Sequence, residues 1–240
     1  MWRVCRSVLS LALLALAVPA FAAPAALSRA DVREAERKLA ELGFWTGPID
    51  GVWDEASRHA LIAFQKLQHA KPTGRLTRAE SNALSLATPP EPREPDLGPH
   101  VEVDIARQVL FLVDAGGRVG NVVPISSGSG KMFHEPGYPA TRAVTPCGRL
   151  EVYSKVTGWK KSPLGVMHNP LYIVGGIAIH GSEDMRTYPA SHGCIRIPMF
   201  ASQRLTGMVP KGTPVIVYGC SEEAPAPAPL VVEALRAGGG

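Results

Sequence analysis

The stretch from Ile179 to Pro198, IHGSEDMRTYPASHGCIRIP, holds a His-Gly pair at 180–181 and a Ser-His-Gly-Cys run at 191–194. Its reading turns on Cys194. Four fates are open to that thiol: a packed apolar residue, half of a disulfide, a metal ligand or a nucleophile. A packing cysteine prefers apolar flanks, yet Ser191, His192, Gly193 and Arg196 bracket this one. A disulfide would have to take Cys147 or Cys220 and leave the other odd. Zinc has suitable ligand types in His168, His180, His192 and Cys194, but Gly193 points to a turn and no H-x-x-x-H spacing of a helical metal site occurs here. The nucleophile reading accounts for more of the residues. A free thiol, with a pKa near ~8.5, is only slightly ionised at neutral pH and needs a base. His180 ends the apolar run YIVGGIAI, which can carry a strand through a core and deliver an imidazole to act as general base and then general acid.

Gly193 removes side-chain bulk and permits φ above zero, a shape that could turn the amides of His192, Gly193 and Cys194 toward one point and form an oxyanion hole. Arg196 has a planar donor fork suited to a substrate carboxylate or amide; its structural alternative is a loop clamp. For orienting the imidazole, Asp184, Glu183 and the carbonyl of Gly181 are the candidate acceptors.

Around this stretch lie 240 residues, 45% hydrophobic and 19% charged, enough for a sizeable core plus a small second domain. The net charge of +4 comes without a Lys/Arg cluster interleaved with aromatics or a zinc-finger spacing, so no nucleic acid is expected as a partner. Residues 1–25 have the layout of a signal peptide: Arg3 and Arg6, an apolar run from Val8 to Val18, then small residues. That run is too short to span a bilayer, so no membrane span is expected in the mature protein. Loss of Cys5 with the leader leaves Cys147, Cys194 and Cys220. If Cys194 is the free thiol, the other two can pair, with two free, partly buried thiols as the alternative.

Three short helices are expected over 28–87. Val32, Ala35, Leu39 and Leu42 recur at helical steps after a Ser28 cap; Ala56, Ala60, Phe64 and Leu67 align on a second helix; Thr77 and Glu80 have capping-box spacing. Gly43 is placed to end the first, and Trp45, Ile49 and Trp53 in the intervening turn are available to cover helix ends. Residues 88–99, TPPEPREPDLGP, read as a stiff Pro-rich linker. Beyond it the pattern alternates. Strands are expected near Val101–Ile105, Gln108–Val113, Val119–Ser126, Gly148–Val156, Gly176–Ile179 and Thr213–Tyr218, with one helix in MFASQRLTGMV, giving a mainly β domain over 100–220 and a loose tail over 221–240.

Two resemblances rest on these residues. LAELGFWTGPIDGVWDEASRHALIAFQ followed by PTGRLT resembles the small three-helix peptidoglycan-binding domains, with Asp54 standing in for a more usual Thr cap. IHGSEDMRTYPASHGCIRIP, with VEVDIARQVLFLVDAGGRV, SSGSG and TPCGRL upstream, resembles the L,D-transpeptidases. That second resemblance implies a β sandwich acting on the tetrapeptide stem of peptidoglycan, with no cofactor and no metal. Cys194 is then the nucleophile at the carbonyl of the third residue, with loss of D-Ala. His180 is the acid and base, oriented by the Gly181 carbonyl. The amides of His192, Gly193 and Cys194 receive the oxyanion, and Ser191 and His192 shape the loop. Arg196 stabilises that loop or meets the donor stem, while the stretches 128–146 and 155–176 are expected to line the cleft, with Tyr172 and Met167, and Tyr138, Trp159 and His168, as candidate contacts. An amine acceptor gives a 3-to-3 cross-link; water would make the protein an L,D-carboxypeptidase. A wall-binding protein without activity is the alternative of another class.

Overall fold

The computed structural model describes residues 26–134 and 139–220; the expected leader and tail, and Tyr138, lie outside them. Helices α1 (Arg29–Glu41), α2 (Glu55–Leu67) and α3 (Arg78–Leu86) come first. Each starts where a side chain satisfies a free amide of the first turn: Ser28 and Asp31 form a capping box, Asp54 accepts from the Ser57 amide, and Thr77 accepts from the Glu80 amide. Gly43, at φ 86°, turns the chain out of α1.

The remaining elements are β1 (His100–Asp104), β2 (Val109–Val113), β3 (Val119–Pro124), β4 (Met132–Phe133), β5 (Thr141–Arg142), β6 (Gly148–Glu151), β7 (Ser154–Lys155), β8 (Trp159–Ser162), β9 (Gly165–Val174), β10 (Ile177–Gly181), β11 (Ile195–Ile197), α4 (Met199–Met208) and β12 (Pro214–Tyr218). One sheet has the order β3-β2-β1-β12-β6, the other β11-β10-β9-β7 with β8 also on β9, and β4 pairs with β5 as a separate ribbon. Val101, Val103, Leu110, Val123 and Val215 of the first sheet meet Leu171, Ile173, Ile179 and Ile195 of the second in one core, which α4 joins through Ala201 and Leu205. This is a β sandwich with a small helical domain ahead of it. The strand expected over 148–156 is broken into β6 and β7, because the chain passes at Val152 and Tyr153 from β12 of the first sheet to β9 of the second. The β8–β9 hairpin had no strand assignment from the sequence; Pro163 and Gly165 mark its turn.

β2, VLFLV, is buried along its whole length. Leu110 and Leu112 face the sandwich core, so alternation turns Val109 and Phe111 outward, where with Val122 they share a second core with Phe44, Leu61 and Phe64 of the helical domain. α2 is therefore covered on nearly all sides, Ala60 through Phe64 included. The Trp45 amide donates to the Val122 carbonyl at 3.1 Å and the Val122 amide to the Gly43 carbonyl at 2.8 Å, so residues 43–45 pair with the otherwise open edge of β3. Trp45 does not cover a helix end as expected. It enters the sandwich core, with the Arg204 guanidinium 5.5 Å above its ring, while Ile49 is exposed.

The Pro-rich segment is also held down. The amides of Arg93 and Glu94 each donate at 2.8 Å to the buried carboxylate of Glu102, and Arg149 pairs with Glu94 at 2.7 Å. The Pro-rich segment thus lies as a strap over the outer face of the first sheet at Glu102. Cys147 and Cys220 form a disulfide across 73 residues with Cα atoms 6.1 Å apart, and Cys194 is a free thiol. Among the described residues no helix is long and apolar enough to cross a membrane.

Two outcomes follow from this packing. A chain starting at residue 88 uncovers Val109, Phe111, Val122 and the β3 edge, and is expected to self-associate in size-exclusion chromatography where the full chain does not. Replacing both Cys147 and Cys220 by Ser is expected to lower unfolding free energy by ~4 kcal/mol on the loop-entropy account, read from urea denaturation.

Candidate active site

β10 and β11 run parallel, with Ile179 opposite Ile195 and His180 opposite Arg196. Ile179, Ile195 and Ile197 point into the core, so alternation brings His180, Cys194 and Arg196 to the other face of the sheet. That face opens on a cleft of about 720 Å³, which His180, Ser191, His192, Cys194, Arg196 and Met167 all line. Its walls are the β8–β9 hairpin with Trp159, Leu164 and Val166, the β4–β5 ribbon with Phe133 and Arg142, and the loop Ser182–Asp184. Tyr172 does not line the cleft. It lies on β9 with its ring 6.2 Å from that of Tyr153, and burial with the nearby Cys194 raises its phenol pKa.

His180 is buried, and its Nδ1 lies 2.9 Å from the Gly181 carbonyl. A carbonyl can only accept, so Nδ1 carries the hydrogen and Nε2 keeps its lone pair. Of the three acceptors open from the sequence, the main chain is the one used. A side chain at Gly181 would collide with Ser202, which ties this carbonyl position to glycine. Burial pushes the His180 pKa down to about 4, with the Arg196 cation adding to the effect and the Gly181 bond opposing it. Burial likewise raises the Cys194 thiol above its ordinary value, against a hydrogen bond from the Ala178 backbone and the charge of Arg196. At neutral pH the two groups are therefore a thiol and a neutral imidazole. Desolvation disfavours the charged form of each group taken singly.

The loop before Cys194 is held by its own polar groups. Gly193 has φ 135°, and a Cβ there would come within 3.0 Å of the Val144 carbonyl. Ser191 Oγ accepts from the Gly193 amide at 3.0 Å and donates to the Cys194 carbonyl at 2.5 Å. Where three converging amides were expected, the amide of Gly193 is turned to Ser191. Thr145 Oγ1 donates to the Gly193 carbonyl at 2.7 Å from behind. The His192 ring lies 4.8 Å from that of Phe133.

Arg196 takes the clamp position, its Nη1 3.0 Å from Asp184, whose carboxylate also meets Arg186 at 2.6 Å. Trp159 lines the cleft; His168 does not, its ring 4.8 Å from Trp159 and its Nδ1 2.8 Å from Ser202. Among the described residues no group of three or more His, Cys, Asp or Glu is gathered to hold a metal ion. The stretches 128–146 and 155–176 contribute Phe133, Leu164 and Val166 to the cleft, residues not singled out from the sequence, and Thr145 backs the nucleophile loop. Thr145 left one signal, the Thr-Pro pair that opens TPCGRL.

The electrostatics set a pH signature. The alkylation rate of Cys194 by iodoacetamide is expected to climb with pH through and beyond the ordinary thiol range, with no plateau between about pH 5 and 8. The acid limb of turnover is expected near pH 4, where His180 gains its proton, and not near the ordinary imidazole value. A neutral-pH plateau in the alkylation profile would contradict the neutral pair.

Comparison with known proteins agrees with this architecture. The L,D-transpeptidase catalytic domain family matches residues 98–217, and a peptidoglycan-binding domain family matches residues 28–84. The L,D-transpeptidase structure from Xylanimonas cellulosilytica is 36% identical, covers 78% of this chain and 93% of that one, and superposes with a TM-score of 0.73. Localization factor PodJL of Caulobacter vibrioides is 43% identical over 57 residues, which are 24% of this chain and 6% of that protein, so the chain spans only a small part of this curated relative. With a matched catalytic domain, a shared sandwich and a helical domain of the peptidoglycan-binding kind ahead of it, the chain belongs to the L,D-transpeptidase family.

Proposed function

We propose that the protein forms 3-to-3 cross-links in peptidoglycan through an acyl-enzyme on Cys194. The observation that carries this reading is one cleft holding a free thiol and a buried, neutral imidazole whose Nδ1 is fixed on the Gly181 carbonyl. The Cys194 sulfur attacks the carbonyl of the third residue of a tetrapeptide stem as His180 Nε2 takes the thiol proton. The amides of His192 and Cys194 receive the charge that grows on the carbonyl oxygen. Collapse breaks the bond to D-Ala, whose amine leaves with the proton from His180, and a thioester remains. The side-chain amine of a second stem then attacks, passes a proton to His180, and the sulfur departs and recovers it.

Arg196 keeps the 182–184 loop at the cleft wall through Asp184 and so contributes to donor binding indirectly. The side chains of Trp159, Leu164, Val166 and Met167 give the cleft an apolar wall against which a second stem, the amine acceptor, can lie. The leader at 1–25 sends the chain across the cytoplasmic membrane to its polymer. The Cys147–Cys220 disulfide is consistent with an oxidising compartment.

Purified protein incubated with a defined stem tetrapeptide is expected to show an acyl adduct on Cys194 by mass spectrometry, then a cross-linked dimer. Cys194→Ala abolishes both, and His180→Gln lowers turnover by at least about 10²-fold. Tripeptide alone as product would replace transfer by hydrolysis. No adduct and no product, with wall binding retained, would replace the enzyme by a binding protein.

A further inference from the structure

We propose that Lys66, on α2 of the helical domain, is a positioning residue for the nucleophile loop, acting through Gln108, Ser127 and Ser191. The proposal rests on the acyl-transfer reading of Cys194 for its consequence in catalysis, but the linkage itself is geometric.

Lys66 is a buried lysine whose Nζ donates to the Gln108 carbonyl at 3.1 Å and the Ile125 carbonyl at 2.8 Å, residues 42 and 59 positions away. Both acceptors belong to the sandwich domain. Ile125 also donates its amide to Gln108 at 3.0 Å, so one ammonium or amine group fixes the crossing of two segments. Gln108 is held at φ 57°, an uncommon backbone for a long side chain, and uses its whole amide group. Its Nε2 donates to the Ile105 carbonyl and to Ser127 Oγ, both at 2.7 Å, and its Oε1 accepts from the Ser127 amide at 3.0 Å.

Ser127 then reaches the loop. Its carbonyl accepts from the Ala190 amide at 3.0 Å and the Ser191 amide at 2.9 Å, while its neighbour Ser126 exchanges two 3.0 Å bonds with Arg196 on the far side of Cys194. Ser191 completes the path through its bonds to Gly193 and to the Cys194 carbonyl. The nucleophile loop is thus gripped on both flanks by the segment 125–127 that Lys66 and Gln108 hold in register.

A purely adhesive role for Lys66 is poorly matched to its surroundings. Burial opposes its charge and lowers its pKa to about 7, and an apolar side chain would glue the domains without that cost. What an apolar side chain cannot do is satisfy two main-chain carbonyls at once and fix where they lie.

The test uses the full chain and two readouts, iodoacetamide alkylation of Cys194 and steady-state turnover of a stem tetrapeptide. Lys66→Met is expected to loosen the loop, raising alkylation severalfold, and to lower kcat about tenfold with KM within about twofold. Leu39→Ala weakens the helical core without touching this path, and is expected to keep wild-type values at a temperature where it is folded. Wild-type alkylation in Lys66→Met, or equal changes in Leu39→Ala, overturns the proposal. Should Lys66→Met fail to fold, Ser127→Ala removes the acceptor of the Gln108 bond and leaves the domain interface intact; it is expected to shift both readouts the same way, and unchanged alkylation there also overturns the proposal. A wild-type protein that turns over no stem peptide contradicts the acyl-transfer reading, while the alkylation comparison still decides the role of Lys66.

Discussion

The first sheet of the sandwich has to be covered on both faces, and much of the molecule is arranged by that need. β2 offers no polar side: Leu110 and Leu112 look into the sandwich, and Val109 and Phe111 look out. An outward face of that kind left in water would cost several kcal/mol in unburied apolar area and would invite association. α2 supplies the cover, Phe44 and Trp45 seal the β3 edge, and the Pro-rich segment is drawn across Glu102. Two sequence domains thereby become one packed body with two adjoining cores.

The chemistry depends on a second balance, between burial and charge. Sinking the imidazole and the thiol into one wall of the cleft makes each neutral at working pH, so reactivity has to come from proton transfer during attack. Such transfer needs a fixed tautomer and a sulfur held in place more than it needs a charged resting state. The Gly181 carbonyl provides the first, and the Ser191 and Thr145 hydroxyls, bonded on either side of Gly193, provide the second. Glycine stands at both places where the main chain itself must make the contact.

Much of this was legible in the sequence where a local rule governs. Capping residues marked the three helix starts, alternation marked most strands, and the flanks of Cys194 separated it from the two cysteines that pair. The docking of the helical domain was harder to see, although the run ALIAF in α2 is apolar around more than one face, as a helix buried on two sides must be. Along a single face the same helix reads only as one member of a three-helix bundle. Lys66 and Gln108 left no sequence pattern, because a lysine buried on carbonyls 42 and 59 residues away is a product of tertiary packing. The pairing of β8 with β9 was hidden for a different reason: exposed Trp159, Leu164 and Val166 break the alternation that a half-buried hairpin usually shows.

Docking changes how a binding domain can help a catalytic one. On a flexible tether, the gain comes from effective concentration, which depends on reach and falls as the tether lengthens. Here the helical domain shares a core with the first sheet, while the cleft opens on the second. Their spacing is set by side-chain packing and not by the reach of a tether, which exposes the cleft to any strain felt by the helices. The bonds that run from α2 through segment 125–127 are the route such strain would take, because they reach the loop around Cys194, whereas the main-chain bonds between residues 43–45 and Val122 end on β3.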